Sequence, residues 1–233
     1  MLRLDKYLTD HYKDITRSQF SDFIKRGFVT IDDKVITKPS FDVLEHHVVK
    51  FNKDDVFVSR GGEKLEHAID VFGIDISNKV VIDVGASTGG FTQSVLNHGA
   101  KHVYAYDVGT DQLAKSLRSD VRVSSFEQTN ILDVNLPEND LIVIDVSFTS
   151  VLPILSHVTP FAKEIIFLLK PQFETTKDML KKGILKSEKE ISKIIEKTTQ
   201  HLKSLSLQIL GFTPSPITGK DGNQEYLIYC TRS

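Results

Sequence analysis

Two arrangements of apolar and polar positions divide the 233-residue chain. Over residues 1–56 the apolar positions come in short bursts. Leu2, Leu4, Tyr7, Leu8 and Tyr12 recur at helical spacing. Thr16-Arg17-Ser18 reads as a cap, and Phe20, Phe23 and Ile24 then fall on one face of a second helix that Gly27 ends. Residues 28–31 and 34–36 alternate like strands around Asp32-Asp33, which predicts a hairpin. Pro39-Ser40 breaks the chain, residues 48–51 read as a last strand, and residues 52–55 as a polar link. The pattern predicts a small α+β unit at 1–56 and an interdomain linker at 57–62.

From residue 63 onward strands and helices alternate. Helices are predicted at 63–72, 91–97, around 111–117, from 151, and at 188–204. Strands are predicted at 80–84, 102–106, 121–123, 141–144, 165–169, 207–212 and 226–231. Runs such as Leu141-Ile142-Val143-Ile144 are apolar at consecutive positions, not at every second one. A strand of that kind is covered on both faces, which means a mostly parallel sheet between two helical layers. Residues 63–233 are thus expected to form one Rossmann-like α/β domain.

Composition adds a few exclusions. Both charge signs are mixed and the net charge is −2, so any nucleic-acid contact must come from local clusters of Lys and Arg. Residues 1–58 hold ten basic and ten acidic side chains. The single cysteine, Cys230, excludes an internal disulfide and a cysteine-rich zinc site, and no His spacing suits a metal. Reduced cysteine fits a cytoplasmic location. No apolar run reaches membrane-span length, and the first residues lack the apolar stretch of a signal peptide.

The loop Asp83-Val-Gly85-Ala86-Ser87-Thr88-Gly89-Gly90-Phe91 joins the first strand of the larger domain to a helix. Glycines there allow a tight turn and close approach of a ligand. Asp107 ends the next strand, 22 residues after Gly85, where a carboxylate accepts hydrogen bonds from a ribose diol. Together they predict a nucleoside cofactor, with Asn130, after the third strand, beside the adenine. Ser87 occupies the place of the second glycine in G-x-G-x-x-G, which counts against NAD. Gly85-x-Ser87-x-Gly89 does match the hydrolase G-x-S-x-G elbow. A hydrolase has strands ahead of its elbow, though, and here the candidates for its histidine, His157 and His201, lie in helical patterns.

Four charged residues sit at element ends: Lys64 early in a helix, Asp145 after the fourth strand, Lys170 after the fifth, and Glu225 ahead of the last. Ligands of open α/β sheets bind beyond the carboxyl ends of the strands. Asp145 and Lys170 therefore share a rim with the Gly85 loop and Asp107.

These motifs resemble the TlyA (haemolysin A-like) family along essentially the whole chain. Arg3-Leu-Asp5-Lys6-Tyr-Leu, Thr16-Arg17-Ser18, Ile24-Lys25-Arg26-Gly27-Phe-Val29 and Lys38-Pro-Ser40 resemble an S4 RNA-binding domain, although Ile31-Asp32-Asp33 replaces the usual Val-Asn-Gly. Ser59-Arg60-Gly61-Gly62-x-Lys64-Leu65, Asp145-Val-Ser-Phe148 and Lys170-Pro-Gln-Phe-Glu174 resemble FtsJ-like class I methyltransferases. The resemblance implies S-adenosylmethionine as cofactor and ribosomal RNA or ribosomal subunits as partner. It implies methylation of a ribose 2′-hydroxyl, at cytidine in the better-known members; DNA has no such hydroxyl. It maps a Lys-Asp-Lys-Glu tetrad onto Lys64, Asp145, Lys170 and Glu225. Lys170 is then expected as base, Asp145 as its orienting partner, and Lys64 and Glu225 as substrate-positioning groups. Arg3, Lys6, Arg17, Lys25, Arg26 and Arg60 are the expected RNA contacts. The competing expectations are a non-catalytic S4-type assembly factor and a small-molecule methyltransferase; the first leaves the four charged residues unexplained, the second the N-terminal unit.

Overall fold

The computed structural model describes residues 2–13, 15–52 and 56–232. The chain divides into two units, Met1–Val56 and Phe57–Ser233. Lys53, Asp54 and Asp55 of the expected polar link lie outside the described residues.

The first unit packs α1 (Leu4–His11) and α2 (Arg17–Lys25) beside a small sheet. That sheet joins β2 (Val29–Ile31), β3 (Lys34–Val35) and β5 (Val49–Phe51), with β2 central. Leu4, Leu8, Phe20, Phe23, Ile24, Val29 and Ile31 form its core. Thr16 caps α2 in a full capping box with Gln19, each side chain serving the other's backbone N–H. A two-residue ladder escaped the sequence reading. It pairs β1 (Leu2–Arg3) with β4 (Asp42–Val43), and strands that short have no period to detect. The unusual hairpin is explained by its turn. Asp32 and Asp33 have φ of 51° and 62°, left-handed values that normally favour Asn-Gly. Their carboxylates compensate: Asp32 accepts from the Val48 N–H at 2.9 Å and Asp33 pairs with Lys50 at 2.6 Å.

The second unit is built on a seven-stranded sheet. In chain order its strands are β6 (Val80–Val84), β7 (His102–Tyr106), β8 (Val123–Phe126), β9 (Leu141–Ile144), β10 (Glu164–Leu169), β11 (Leu207–Pro214) and β12 (Tyr226–Arg232). Across the sheet the order is β11-β12-β10-β9-β6-β7-β8. β12 alone runs antiparallel, wedged between β10 and β11. Alternate residues of the central strands feed two cores. Ile82, Ile142, Ile144, Ile165 and Phe167 face α6 (Leu152–Val158) and α7 (Glu188–Ser204). Val81, Leu141, Val143, Ile166 and Leu168 face α3 (Arg60–Phe72) and α4 (Gly90–Asn97). Strand order reverses between β6 and β9, the switch point at which open α/β sheets bind ligands.

Three sequence expectations shift. Residues 57–62 are not a separate linker. Arg60, Gly61 and Gly62 form the first turn of α3, and a Cβ at Gly62 would lie 2.2 Å from the Phe57 ring, so Phe57 folds back onto that turn. The helix expected around 111–117 is only α5 (Lys115–Arg118), because Asp111 is left-handed (φ 52°) and held by an ion pair to Arg118. Val121 and Arg122 precede β8 instead of beginning it. Val121 is 95% exposed, and Arg122 is tied to Asp120. No helix among the described residues is long and apolar enough to cross a membrane.

Candidate active site

The cofactor loop leaves β6 at the switch point. Gly85 takes φ 81°, and a Cβ there would sit 2.7 Å from the Asp145 carbonyl oxygen, so only glycine lets β6 and β9 splay here. The loop is anchored by the Gly85 and Ala86 N–H groups, both donating to the Tyr106 carbonyl at 2.9 and 3.1 Å. Ser87 is left-handed (φ 49°), and its N–H donates to Asp107 Oδ2 at 2.7 Å. The Gly109 N–H donates to Asp107 Oδ1, also at 2.7 Å. A carboxylate has roughly four acceptor positions. Two are used to aim Asp107, leaving others for hydroxyl donors.

Gly85, Ser87, Asp107, Asn130 and Asp145 line one cleft of about 600 Å³. A smaller recess of about 130 Å³ continues from it past Ala86, Gly90 and Phe91 to Ser59 and Gly61. Asn130 is exposed on the cleft wall, its side chain accepting from the Leu132 N–H at 3.2 Å. Thr88 and Gly89 line neither space; a Cβ at Gly89 would strike Leu117.

Asp83 also departs from the expected role. It sits on the α4 face of β6, fully enclosed, accepting the Thr92 hydroxyl at 2.6 Å, and its second oxygen has no hydrogen-bond partner. Burial, assisted by the nearby Asp145 and Asp107 charges and opposed by Thr92, pushes its carboxyl up to about 7. Asp83 therefore braces the loop from behind and does not line the cleft. Because its folded value lies above the unfolded one, the stability its proton contributes is fully present below about pH 4 and is lost as pH rises through about 7. Asp83→Asn stays neutral throughout. Its stability relative to wild type should climb between about pH 4 and 7, by an amount on the order of 4 kcal/mol. Melting both proteins across that range checks this; a pH-independent gap would mean that Asp83 does not titrate there.

The four charged residues converge, for reasons visible in the register. Parallel pairing of Phe167 with Ile144 puts the end of β10 beside the loop after β9. Lys170 accordingly meets Asp145 Oδ1 at 2.5 Å and donates to Ser147 Oγ at 2.8 Å. Antiparallel pairing of Leu169 with Tyr226 brings Glu225 alongside Lys170. Glu225 Oε2 accepts from Lys64 Nζ at 2.5 Å, and Oε1 from Gln172 Nε2 at 3.1 Å. Lys64, Lys170 and Glu225 are buried. A Cβ at Gly219 would come within 2.5 Å of Glu225 Oε1, so that glycine closes the carboxylate off. A Cβ at Gly61 would lie 3.5 Å from Asp145 Oδ2, which brings the start of α3 to the same corner. The result is two ion pairs, Lys64–Glu225 and Lys170–Asp145, at the rim of the cleft.

Sequence reading missed the groups that hold these pairs. Ser147 and Gln172 lie inside the motifs that carry Asp145 and Lys170, and their hydrogen-bonding side chains were the available signal. It also missed Phe148, whose ring is 92% exposed on the cleft wall although its backbone is left-handed (φ 65°). A bulky residue in that conformation is an outlier among non-glycine residues. The hydrolase reading fails on contacts: His157 bonds the Val134 carbonyl, and His201 bonds Ser156 and the Leu152 carbonyl.

The residues present fit S-adenosylmethionine. Asp107, with acceptor positions left over, would accept from a ribose diol, Asn130 and Ile131 line the wall where an adenine would lie, and the glycine at Gly85 would leave room for the amino-acid end.

The strand order, the switch-point cleft and the single antiparallel strand define a class I α/β methyltransferase fold. Residues 57–232 match the FtsJ-like methyltransferase family and residues 2–49 match the S4 domain, and the chain belongs to this FtsJ-like family, with an N-terminal S4 domain. It is 38% identical over 237 residues to "Hemolysin A" of Brachyspira hyodysenteriae, covering 98% of this chain and 99% of that one. It is 35% identical over 238 residues to the "16S/23S rRNA (cytidine-2′-O)-methyltransferase TlyA" of Mycobacterium tuberculosis, covering 97% and 88%. Among solved structures, a putative hemolysin from Streptococcus thermophilus superposes with a TM-score of 0.76 at 33% identity, over 100% of this chain and 88% of that one.

Proposed function

We propose that this chain transfers the methyl of S-adenosylmethionine to a ribose 2′-hydroxyl of ribosomal RNA, at cytidine, in the cytoplasm. The observation that carries this is the pair of buried ion pairs, Lys64–Glu225 and Lys170–Asp145, standing beside the cleft of Asp107. The relatives named as rRNA methyltransferases support the substrate class.

When bound, the cofactor supplies a methyl already activated by the sulfonium. What the protein must add is placement of the hydroxyl and removal of its proton. Lys170 is assigned as the group that takes the 2′-proton; Asp145 and Ser147 hold its nitrogen at the rim. Lys64 and Glu225, braced by Gln172, position the ribose from the other side. The open ring of Phe148 gives the target base a face to stack on, as unpaired RNA bases do on aromatic side chains. Labelled methyl transfer to ribosomal subunits, free ribosomal RNA and small molecules, followed by mapping of the modified nucleotide, tests the assignment. A 2′-O-methylcytidine in ribosomal RNA is the expected product. Tight cofactor binding without incorporation into any RNA would overturn the catalytic assignment and favour a binding factor.

The S4 unit is proposed to dock the RNA. Lys6 and Lys25 are exposed there, without ion pairs among the described residues. Arg3 and Arg17 share Asp5, at 2.9 and 3.2 Å. Burial works to raise the Asp5 carboxyl, but hydrogen bonds from the two arginines outweigh it and hold the group below its ordinary value. One carboxylate thus splays two guanidinium groups that are each half exposed. Arg26 is less available, paired with Asp22 and lying over the Phe28 ring. Arg60, in the second unit, starts α3. Replacing Arg3 and Arg17 together by Ala should weaken RNA binding at least about tenfold. It should also flatten the plot of log affinity against log salt by roughly 1.5. A salt slope equal to wild type would remove these arginines from the interface.

A further inference from the structure

Positive charge, balanced in the first unit, accumulates in one segment of the second. Residues 177–197 hold seven lysines against four carboxylates. All seven lysines are exposed, and among the described residues only Lys193 is ion-paired, to Glu190 at 3.4 Å. Glu188 and Glu190 occupy the first turn of α7, where a carboxylate offsets the helix dipole.

The placement of these lysines is fixed by the fold. Lys181 and Ile184 bridge across a tight turn in which Lys182 and Gly183 are left-handed (φ 54° and 80°). Asn223, itself 4% exposed, clamps that turn from both sides. Its Nδ2 donates to the Gly183 carbonyl at 2.9 Å, and its Oδ1 accepts from the Leu185 N–H at 2.9 Å. Asn223 lies two residues before Glu225. Lys181, Lys182 and Lys186 are therefore held at the end of the sheet that carries the tetrad. The chain then enters α7, where Lys189, Lys193 and Lys197 follow one another at one-turn intervals. Ile194, Thr198 and Leu202 bury the opposite face.

Between α7 and the segment after β10 runs a groove of about 690 Å³. Lys193 and Lys197 line one wall and Thr175 and Thr176 the other. Ser150 lines both this groove and the cleft that holds Asp107 and Asp145, so the two spaces adjoin. Two carboxylates face the groove, and both are engaged. Glu174 accepts from Ser150 Oγ at 2.6 Å and from the Val151 N–H at 2.7 Å, and Glu190 pairs with Lys193.

We propose that the Lys181–Lys186 turn and the lysine face of α7 form a second RNA contact on the catalytic domain: a track for the phosphates of the nucleotides flanking the one that reacts. This deepens the RNA-methylation assignment above and rests on it. Apart from Lys193, these lysines hold no carboxylate among the described residues, which leaves them available to a phosphate backbone, and each phosphate neutralised releases condensed counterions. The groove meets the cofactor cleft at Ser150, so a strand whose target ribose sits by Lys170 has a path along it. The contact reads backbone and carries no sequence information. It adds affinity and register to whatever the S4 unit supplies.

The test uses the full chain with Lys181, Lys182, Lys186, Lys193 and Lys197 replaced together by Ala. The control replaces Lys101 and Lys163, which precede β7 and β10 at the opposite rim. Cofactor affinity and melting temperature report that both proteins are folded. The five-lysine variant should raise KM for ribosomal RNA about tenfold or more and leave kcat within about twofold. Its RNA salt slope should fall by up to about 3.5, at about 0.7 per lost single-strand phosphate contact, and the control should match wild type. An unchanged KM and slope in the five-lysine variant would overturn the track, as would an equal loss in the control. RNA binding is read apart from methyl transfer. If wild type methylates no RNA, the functional assignment fails by that result, and the salt slope still decides the track.

Discussion

Lys170→Ala should abolish most methyl transfer while leaving the cofactor site loaded. A positioned general base contributes roughly 10²–10⁴-fold, and kcat should drop by that amount. Cofactor affinity should stay within about twofold of wild type, because Lys170 does not line the cleft of Asp107 and Asn130. Lys170→Arg separates two roles. Arginine keeps a positive charge for Asp145 but does not give up its proton in a protein. If Lys170 acts as base, the arginine variant is as inactive as the alanine one. If Lys170 only holds Asp145 and the substrate by charge, arginine restores much of the rate, and the base assignment is lost. Single-turnover rates with saturating cofactor and RNA make the comparison, since they exclude product release.

How far the site could be read from the chain alone follows from which signals are local. The sheet was legible because buried parallel strands are apolar without a break, as in Leu141–Ile144 and Ile165–Leu169. The rim position of Asp145 and Lys170 followed from their places one residue beyond those strands. What pairs with what was not legible. Lys64 and Glu225 are 161 residues apart, and only the antiparallel insertion of β12 between β10 and β11 brings Glu225 to the α3 side. Asp83 looked like part of the glycine loop because it adjoins it in sequence. Strand alternation sends its side chain into the α4 layer instead, where Thr92 is the partner. The arginines of the S4 unit are expected from the sequence as RNA contacts, yet two of them share Asp5, a pairing no local signal announces. The lysines of residues 177–197 carried no motif; they became a surface only when Asn223 fixed their turn beside Glu225.

Glu225→Ala should be the most destabilising of these single changes. The Lys64 and Glu225 side chains are only 8% and 3% exposed, so neither charge is served by water. Removing one partner of a buried pair leaves the other ion stranded and costs roughly 3–5 kcal/mol. Gln172 also loses the acceptor for its Nε2–H. In a domain of this size each kcal/mol lowers the melting temperature by about 2–4 °C, so a fall of roughly 6–20 °C is expected. Removing the charge on both sides, with Lys64→Met and Glu225→Gln, eliminates the stranded ion and retains an acceptor for Gln172. That double variant should recover most of the lost stability, with a coupling energy of about 2 kcal/mol or more in the thermodynamic cycle. It should not recover methyl transfer, because the lysine and carboxylate that position the ribose are both gone. Stability regained with activity still absent would separate what the ion pair does for the fold from what it does for the reaction. If instead Glu225→Ala melted within about 2 °C of wild type, the pair would not be buried as the geometry requires. If the double variant were active, Lys64 and Glu225 would be structural and the ribose would be positioned by other groups.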